Sequence, residues 1–115
     1  MRILLVEDNP GDAFITKRTL RPHEVHWATC LSDAVAALPS FQPQVVLLDL
    51  GLPDSQGIDT FKRLSSVADC PVVVLTGNAN EDIRDGVLAL GAVDVLTKTT
   101  EGRERVPAVL EGLAR

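Results

Sequence analysis

Four short runs of aliphatic and β-branched residues, at positions 3–6, 45–48, 72–75 and 93–96, punctuate the chain at intervals too wide for hairpins. The first three are apolar at every position, the pattern of strands buried on both faces of a parallel sheet. Between them the apolar spacing becomes helical. Leu31, Ala34, Val35 and Leu38 mark one helix, and Ile58, Phe61 and Leu64 another. Ile83, Val87 and Leu90 mark a third, which starts behind Asn80, Glu81 and Asp82 and closes at Gly91. Asn9 followed by Pro10 is a cap and first-turn signal for a helix directly after the first strand. Residues 24–29 alternate more, as expected of a strand at a sheet edge. The order is therefore (βα)5, an α/β three-layer sandwich with right-handed crossovers and helices on both faces of a five-stranded parallel sheet. The last helix carries a conflict. Val106, Leu110 and Leu113 have helical spacing, but Gly102 and Pro107 fall in the same segment. A proline in a helix interior costs about 3 kcal/mol, so the helix is expected to start late, near Val106, or to be kinked.

The polar residues that end the apolar runs are the informative ones. The first run ends in Glu7 and Asp8, the second in Asp49, the third in Thr76, and the last, through Thr97, in Lys98. In a parallel sheet all carboxyl ends lie on one rim, so these side chains meet there although they are scattered through the sequence. Residues 24–29 contribute nothing comparable, which fits a peripheral strand. Taken singly, each residue has an ordinary structural explanation as a helix cap, a strand-end threonine or a solvated lysine. Taken together they are chemically complementary. Three converging carboxylates repel one another, and a hard divalent cation neutralises them. Mg²⁺ favours carboxylate and carbonyl oxygen and is held by one or two carboxylates plus a phosphate. Asp8 and Asp49 are the expected direct ligands, Glu7 a water-mediated one, and the Gly51 carbonyl a further oxygen. A carboxylate nucleophile at Asp49 can form an acyl phosphate, with Lys98 supplying a cation and Thr76 a hydroxyl donor to the phosphoryl oxygens.

Composition narrows the setting. At 115 residues the chain suits one domain over residues 1–115, and no repeat or linker divides it. No apolar run approaches the ~20 residues of a membrane span, and the amino end lacks the order of a secretion signal, so a cytoplasmic location is expected. A net charge of −5 without a Lys/Arg cluster argues against direct nucleic-acid or membrane binding. Cys30 and Cys70 belong to no metal-spaced cluster and are expected as reduced, half-buried thiols; His23 and His26 are expected at the surface.

Several longer motifs carry a family resemblance: Ile-Leu-Leu-Val-Glu-Asp-Asn-Pro at the start, Val-Val-Leu-Leu-Asp-Leu-Gly-Leu-Pro-Asp in the middle, then Pro-Val-Val-Val-Leu-Thr-Gly and Gly-Ala-Val-Asp-Val-Leu-Thr-Lys. In this order, over essentially the whole chain, it resembles the receiver domains of two-component response regulators. The resemblance implies a flavodoxin-like fold with strand order 2-1-3-4-5 and Mg²⁺-dependent phosphorylation of Asp49 by a sensor histidine kinase or histidine phosphotransfer protein. It also implies slow self-catalysed loss of the phosphoryl group and signalling to a downstream output protein or domain. The first helix is a docking face for the kinase on this reading, with Phe14 or Ile15 as the exposed apolar residue and the other facing the core. The start at Met1 leads us to expect a receiver at the amino end of its protein. Two positions depart from the family pattern. Its switch couples the threonine matching Thr76 to an aromatic residue on the fifth strand, where this chain has Val95. Beside the lysine matching Lys98 the family usually has proline, often cis, whereas Thr99 is expected to be trans. Both departures touch the fifth strand and its flanks, part of a surface many receivers use for output or for homodimer formation. Two rival readings remain. A haloacid-dehalogenase-type phosphatase would place a DxD motif after its first strand, which this chain lacks. A receiver-like interaction module working without phosphorylation usually loses an acidic residue or the lysine, and this chain has lost neither.

Overall fold

Thirteen elements follow one another through the computed structural model, which describes residues 1–114. In chain order they are β1 (Arg2–Val6), α1 (Pro10–Thr19), β2 (Glu24–Ala28), α2 (Leu31–Phe41), β3 (Val45–Leu48), β4 (Gly51–Leu52), β5 (Ser55–Gln56), α3 (Ile58–Ser65), β6 (Val72–Thr76), α4 (Glu81–Ala89), β7 (Val95–Thr97), α5 (Thr100–Glu104) and α6 (Val106–Ala114). The main sheet has the order β2-β1-β3-β6-β7, parallel throughout. This is the expected 2-1-3-4-5 arrangement once the small antiparallel hairpin β4–β5 is set aside.

The uniformly apolar strands bury side chains on both faces, and their period of two separates the core into two layers. Leu4, Val6, Val46, Leu48, Val72, Val74 and Val95 pack with Ala34, Phe61, Leu64 and Val87 of α2, α3 and α4. The alternate residues Ile3, Leu5, Val45, Leu47, Val73, Leu75 and Leu96 pack with Ala13 and Leu20 at α1 and with Val106 and Leu110 of α6. Each Val, Leu, Ile or Phe among them contributes about 1.5–3 kcal/mol on full burial, so the central strands are the most firmly held part of the core. The polar residues at their carboxyl ends inherit that rigidity. β2 pairs with β1 alone and alternates in exposure, as expected at an edge.

Asn9 caps α1 by accepting from the Asp12 N–H at 3.0 Å, and Pro10 opens the helix. The last helix breaks at Arg105, so Pro107 is the second residue of α6 and its missing N–H falls among those that have no helical partner. The Lys98–Thr99 peptide is trans. Both cysteines are free and half-buried.

Three expectations need correction. The final strand begins at Val95 rather than at residue 93, and Val93 is 41% exposed. Asp94 lies just before the strand: its carboxylate accepts the Val95 N–H at 2.7 Å and pairs with Arg84 and Arg105. Phe14 and Ile15 both face solvent, at 62% and 48% exposure. The inward stripe of α1 runs through Ala13, Thr16 and Leu20, at helical spacing, and leaves residues 14 and 15 outside it. Leu90, expected on the buried stripe of the third helix, ends α4 as its exposed cap residue.

Candidate functional site

Strand order reverses between β1 and β3, and the crevice at such a switch point lies outside the carboxyl ends of the strands. Glu7 and Asp8 follow β1, Asp49 follows β3, Thr76 ends β6, and Lys98 follows β7. Their side chains converge. The Lys98 ammonium donates to Asp49 Oδ2 at 2.6 Å and lies 2.6 Å from Glu7 Oε1. Asp49 Oδ1 accepts from the Thr76 hydroxyl at 3.0 Å and from the Gly51 N–H at 3.2 Å. Glu7 Oε2 accepts the Asn9 N–H at 3.1 Å. Glu7 and Asp49 are buried, at 2% and 6% exposure, while Asp8 is exposed. Beside Asp49 opens a cleft of about 290 Å³ that Thr76, Gly77, Gly51, Gln56 and Lys98 help to line.

Burial pushes the Glu7 carboxyl up from its ordinary 4.5 to about 7, against the opposing pull of the Lys98 ammonium and the Asn9 N–H. For Lys98, burial alone would favour the neutral amine. The short bonds it donates to Asp49 and Glu7 outweigh it and hold the ammonium above its ordinary value, so it stays charged.

Carboxylate oxygens of Glu7, Asp8 and Asp49 lie within 4.8 Å of one another. The set is all hard oxygen, two of the three groups are rigidly placed and the third is open to water. That chemistry fits a small divalent cation that keeps part of its hydration shell. Gly51 is beside this group through its N–H to Asp49.

Sequence reasoning found the rim residues but missed those that hold them. Asp12, in the first turn of α1, accepts from Lys98 Nζ at 3.2 Å and pairs with Arg103 at 3.4 Å. Arg103 also donates to the Lys98 carbonyl at 3.3 Å. Helical charges look solvated in a sequence, and the one available signal was that Asp12 lies one helical turn beyond Asp8. Trp27 Nε1 donates to the Glu7 carbonyl at 2.6 Å, so the edge strand does support the site. Asp54, in the turn of the β4–β5 hairpin, accepts the N–H groups of Leu31 and Ser32 at 2.8 and 2.9 Å, and these bonds hold its carboxyl below the usual range.

The response regulator receiver domain model matches residues 3–110. The chain belongs to the response regulator receiver family. This receiver is 35% identical over 98 residues to the transcriptional regulatory protein KdpE of Mycobacterium tuberculosis, covering 84% of the chain and 43% of the relative. It is 38% identical over 114 residues to the sensory transduction protein RegX3 of the same species, covering 94% of the chain and 50% of the relative. The receiver therefore spans half or less of the length of these relatives. A two-component response regulator from Clostridium difficile superimposes with a TM-score of 0.89 at 21% identity, over 100% of this chain and 96% of that one, which places the fold. No helix among the described residues of the receiver is long and apolar enough to cross a membrane.

Proposed function

We propose that this receiver takes a phosphoryl group onto Asp49 from the phosphohistidine of a sensor kinase or phosphotransfer protein, with Mg²⁺, and thereby changes its binding to an output partner. The observation that carries this reading is the environment of Asp49: a buried carboxylate between a hydroxyl donor at 3.0 Å and an ammonium at 2.6 Å, at the mouth of a cleft. Oδ1, which faces Thr76 and Gly51, is the attacking oxygen. It bonds to phosphorus while the donor's imidazole leaves with its electron pair. Thr76 and Lys98 donate to the phosphoryl oxygens, which requires Lys98 to loosen its hold on Glu7. Asp8 and Asp49 would hold the ion directly, Glu7 through water and Gly51 through its carbonyl; bound there, the ion neutralises charge on carboxylate and phosphoryl oxygens. Family membership supports the assignment. So does the donor geometry, because phosphoryl transfer depends on alignment and charge neutralisation. The same site would accept small acyl phosphates and would lose its phosphoryl group slowly to water.

Intact mass after incubation with acetyl phosphate tests the proposal. We expect one labile phosphoryl adduct that requires both Mg²⁺ and Asp49 and is absent in Asp49→Asn. A folded, Mg²⁺-binding chain that stays unmodified with both acetyl phosphate and a phosphohistidine donor would reject it. One observation favours a second reading, an interaction module independent of phosphorylation. Val95 is 1% exposed and has no ring to move between inward and outward positions. Partner binding unchanged by Asp49→Asn would select that reading.

A further inference from the structure

Gly51 leaves the cleft wall beside Asp49 without a side chain, and the β4–β5 hairpin sets Gln56 directly across from it. A Cβ at position 51 would meet one group within 4 Å, the Gln56 Oε1, at 3.7 Å. The carboxamide therefore borders the space that a side chain at 51 would fill. Its orientation is determined by chemistry. Gln56 Nε2 donates to the Leu52 carbonyl, which can only accept, so the amide nitrogen is committed and Oε1 is turned toward Gly51. Among the described residues no donor reaches Oε1. The other polar side chains of the cleft are engaged or are donors. Thr76 and Lys98 present hydrogens to Asp49, and the Asn78 carboxamide oxygen accepts from Asn80 at 3.4 Å. Gln56 thus brings an uncommitted acceptor to a wall whose donors suit phosphoryl oxygens. An acceptor without basicity does one thing well near a phosphoryl group: it takes a hydrogen bond from water and aims the water's lone pair.

We propose that Gln56 orients the water that hydrolyses the aspartyl phosphate, and so sets the lifetime of the phosphorylated receiver; this rests on Asp49 being the phosphoryl acceptor. In the step, water oxygen forms a new bond to phosphorus and the phosphorus–Asp49 oxygen bond breaks, its electron pair returning to the carboxylate. The proton released by the water leaves with inorganic phosphate. Gln56 accepts a hydrogen bond from that water and exchanges no proton. Its side chain is exposed, so it can adjust as the phosphoryl group occupies the cleft.

The test is the decay of the adduct after acetyl phosphate is removed, read by intact mass in wild type, Gln56→Ala and Gln56→Met. The first-order constant does not depend on how much adduct forms, so differences in loading do not enter. Methionine keeps the bulk of glutamine without its oxygen acceptor. We expect decay slowed about five- to tenfold in both variants, the effect of one orienting hydrogen bond. In urea-unfolded protein all three adducts should decay alike. Decay unchanged in both variants overturns the inference. So does faster decay in Gln56→Ala restored by Gln56→Met, which would make the side chain a shield. A wild-type chain that acquires no adduct from any donor overturns the phosphorylation reading itself, and this inference with it.

Discussion

Glu7 is buried at 2% exposure beside another carboxylate, and its proton affinity is what the surrounding residues must manage. With a folded pKa of about 7 against an ordinary 4.5, the native chain holds a proton that the unfolded chain releases between those values. Stability contributed by this group is therefore intact below about pH 4.5, falls as pH rises through the window, and levels off above about 7. Chemical unfolding of wild type and Glu7→Gln without divalent ions checks this. Relative to the variant, wild type should lose about 2–3 kcal/mol between pH 4.5 and 7. A constant difference across that range would place the Glu7 charge elsewhere. At this scale the sequence was readable where chemistry interrupts an apolar run. Glu7 with Asp8, Asp49, Thr76 and Lys98 end the four runs, and a parallel sheet leaves their side chains no other rim. Asp12 and Arg103 were unreadable because a helix surface accepts charges for ordinary reasons. Their contacts distinguish them from solvated neighbours: the 3.4 Å pair between them, Asp12 on the Lys98 ammonium at 3.2 Å, and Arg103 on the Lys98 carbonyl.

Among the elements, α5 departs furthest from what its sequence suggested, and its docking explains the departure. Thr99 caps it by accepting the Gly102 N–H at 3.0 Å, and Gly102 lies against the backbone of Thr97. A Cβ at Gly102 would fall far inside van der Waals distance of the Thr97 carbonyl oxygen, a backbone atom that no rotamer change can move. Gly102→Ala should therefore destabilise the fold by about 2 kcal/mol or more, despite the better helix propensity of alanine. Because α5 carries Arg103, the variant should also load phosphoryl groups more slowly. Gly86→Ala is the contrasting case. Its Cβ would meet the tip of the Ile58 side chain, which can change rotamer, so a propensity gain of up to ~1 kcal/mol offsets the adjustment and the net change should lie near zero. Urea midpoints of the two variants make the comparison, and equal losses in both would refute it. The glycine in the segment was read as a helix breaker, whereas its role is close approach to a strand. The β4–β5 hairpin escaped notice because two-residue strands have no period to detect. Its Asp54 compensates for a weak cap, since the acceptor of the Asp33 N–H at 3.4 Å is the Cys30 sulfur, a poor hydrogen-bond acceptor.

Across the whole molecule, the parallel (βα)5 architecture was legible in the apolar runs and one edge in the alternating strand, whereas the strand order came from the family resemblance, since the apolar run that becomes β7 lies at the opposite edge. What the order produces is a concentration of negative charge on one rim of a chain with net charge −5, where a single ammonium serves three carboxylates: Glu7, Asp49 and Asp12. The Lys98 side chain is only 13% exposed, so these are partly desolvated interactions in which losing the cation leaves uncompensated charge. Lys98→Met should accordingly lower stability by about 3 kcal/mol in EDTA, discounted by whatever protonation Glu7 gains. The same position makes Lys98 a competitor of any divalent ion, because it lies between Glu7 and Asp49, two of the three carboxylates that would hold the ion directly or through water. Removing it should tighten Mg²⁺ binding about tenfold, the free-energy equivalent of ~1.4 kcal/mol. By linkage the thermal midpoint of the variant should then rise more steeply with Mg²⁺ than that of wild type, recovering part of the loss. Trp27 gives a second readout, since its indole bonds to the Glu7 carbonyl and it is the sole tryptophan, so its emission should report the same titration. Parallel Mg²⁺ dependence in the two proteins would mean that Lys98 and the ion do not share a place, and the carboxylates would have to be neutralised independently.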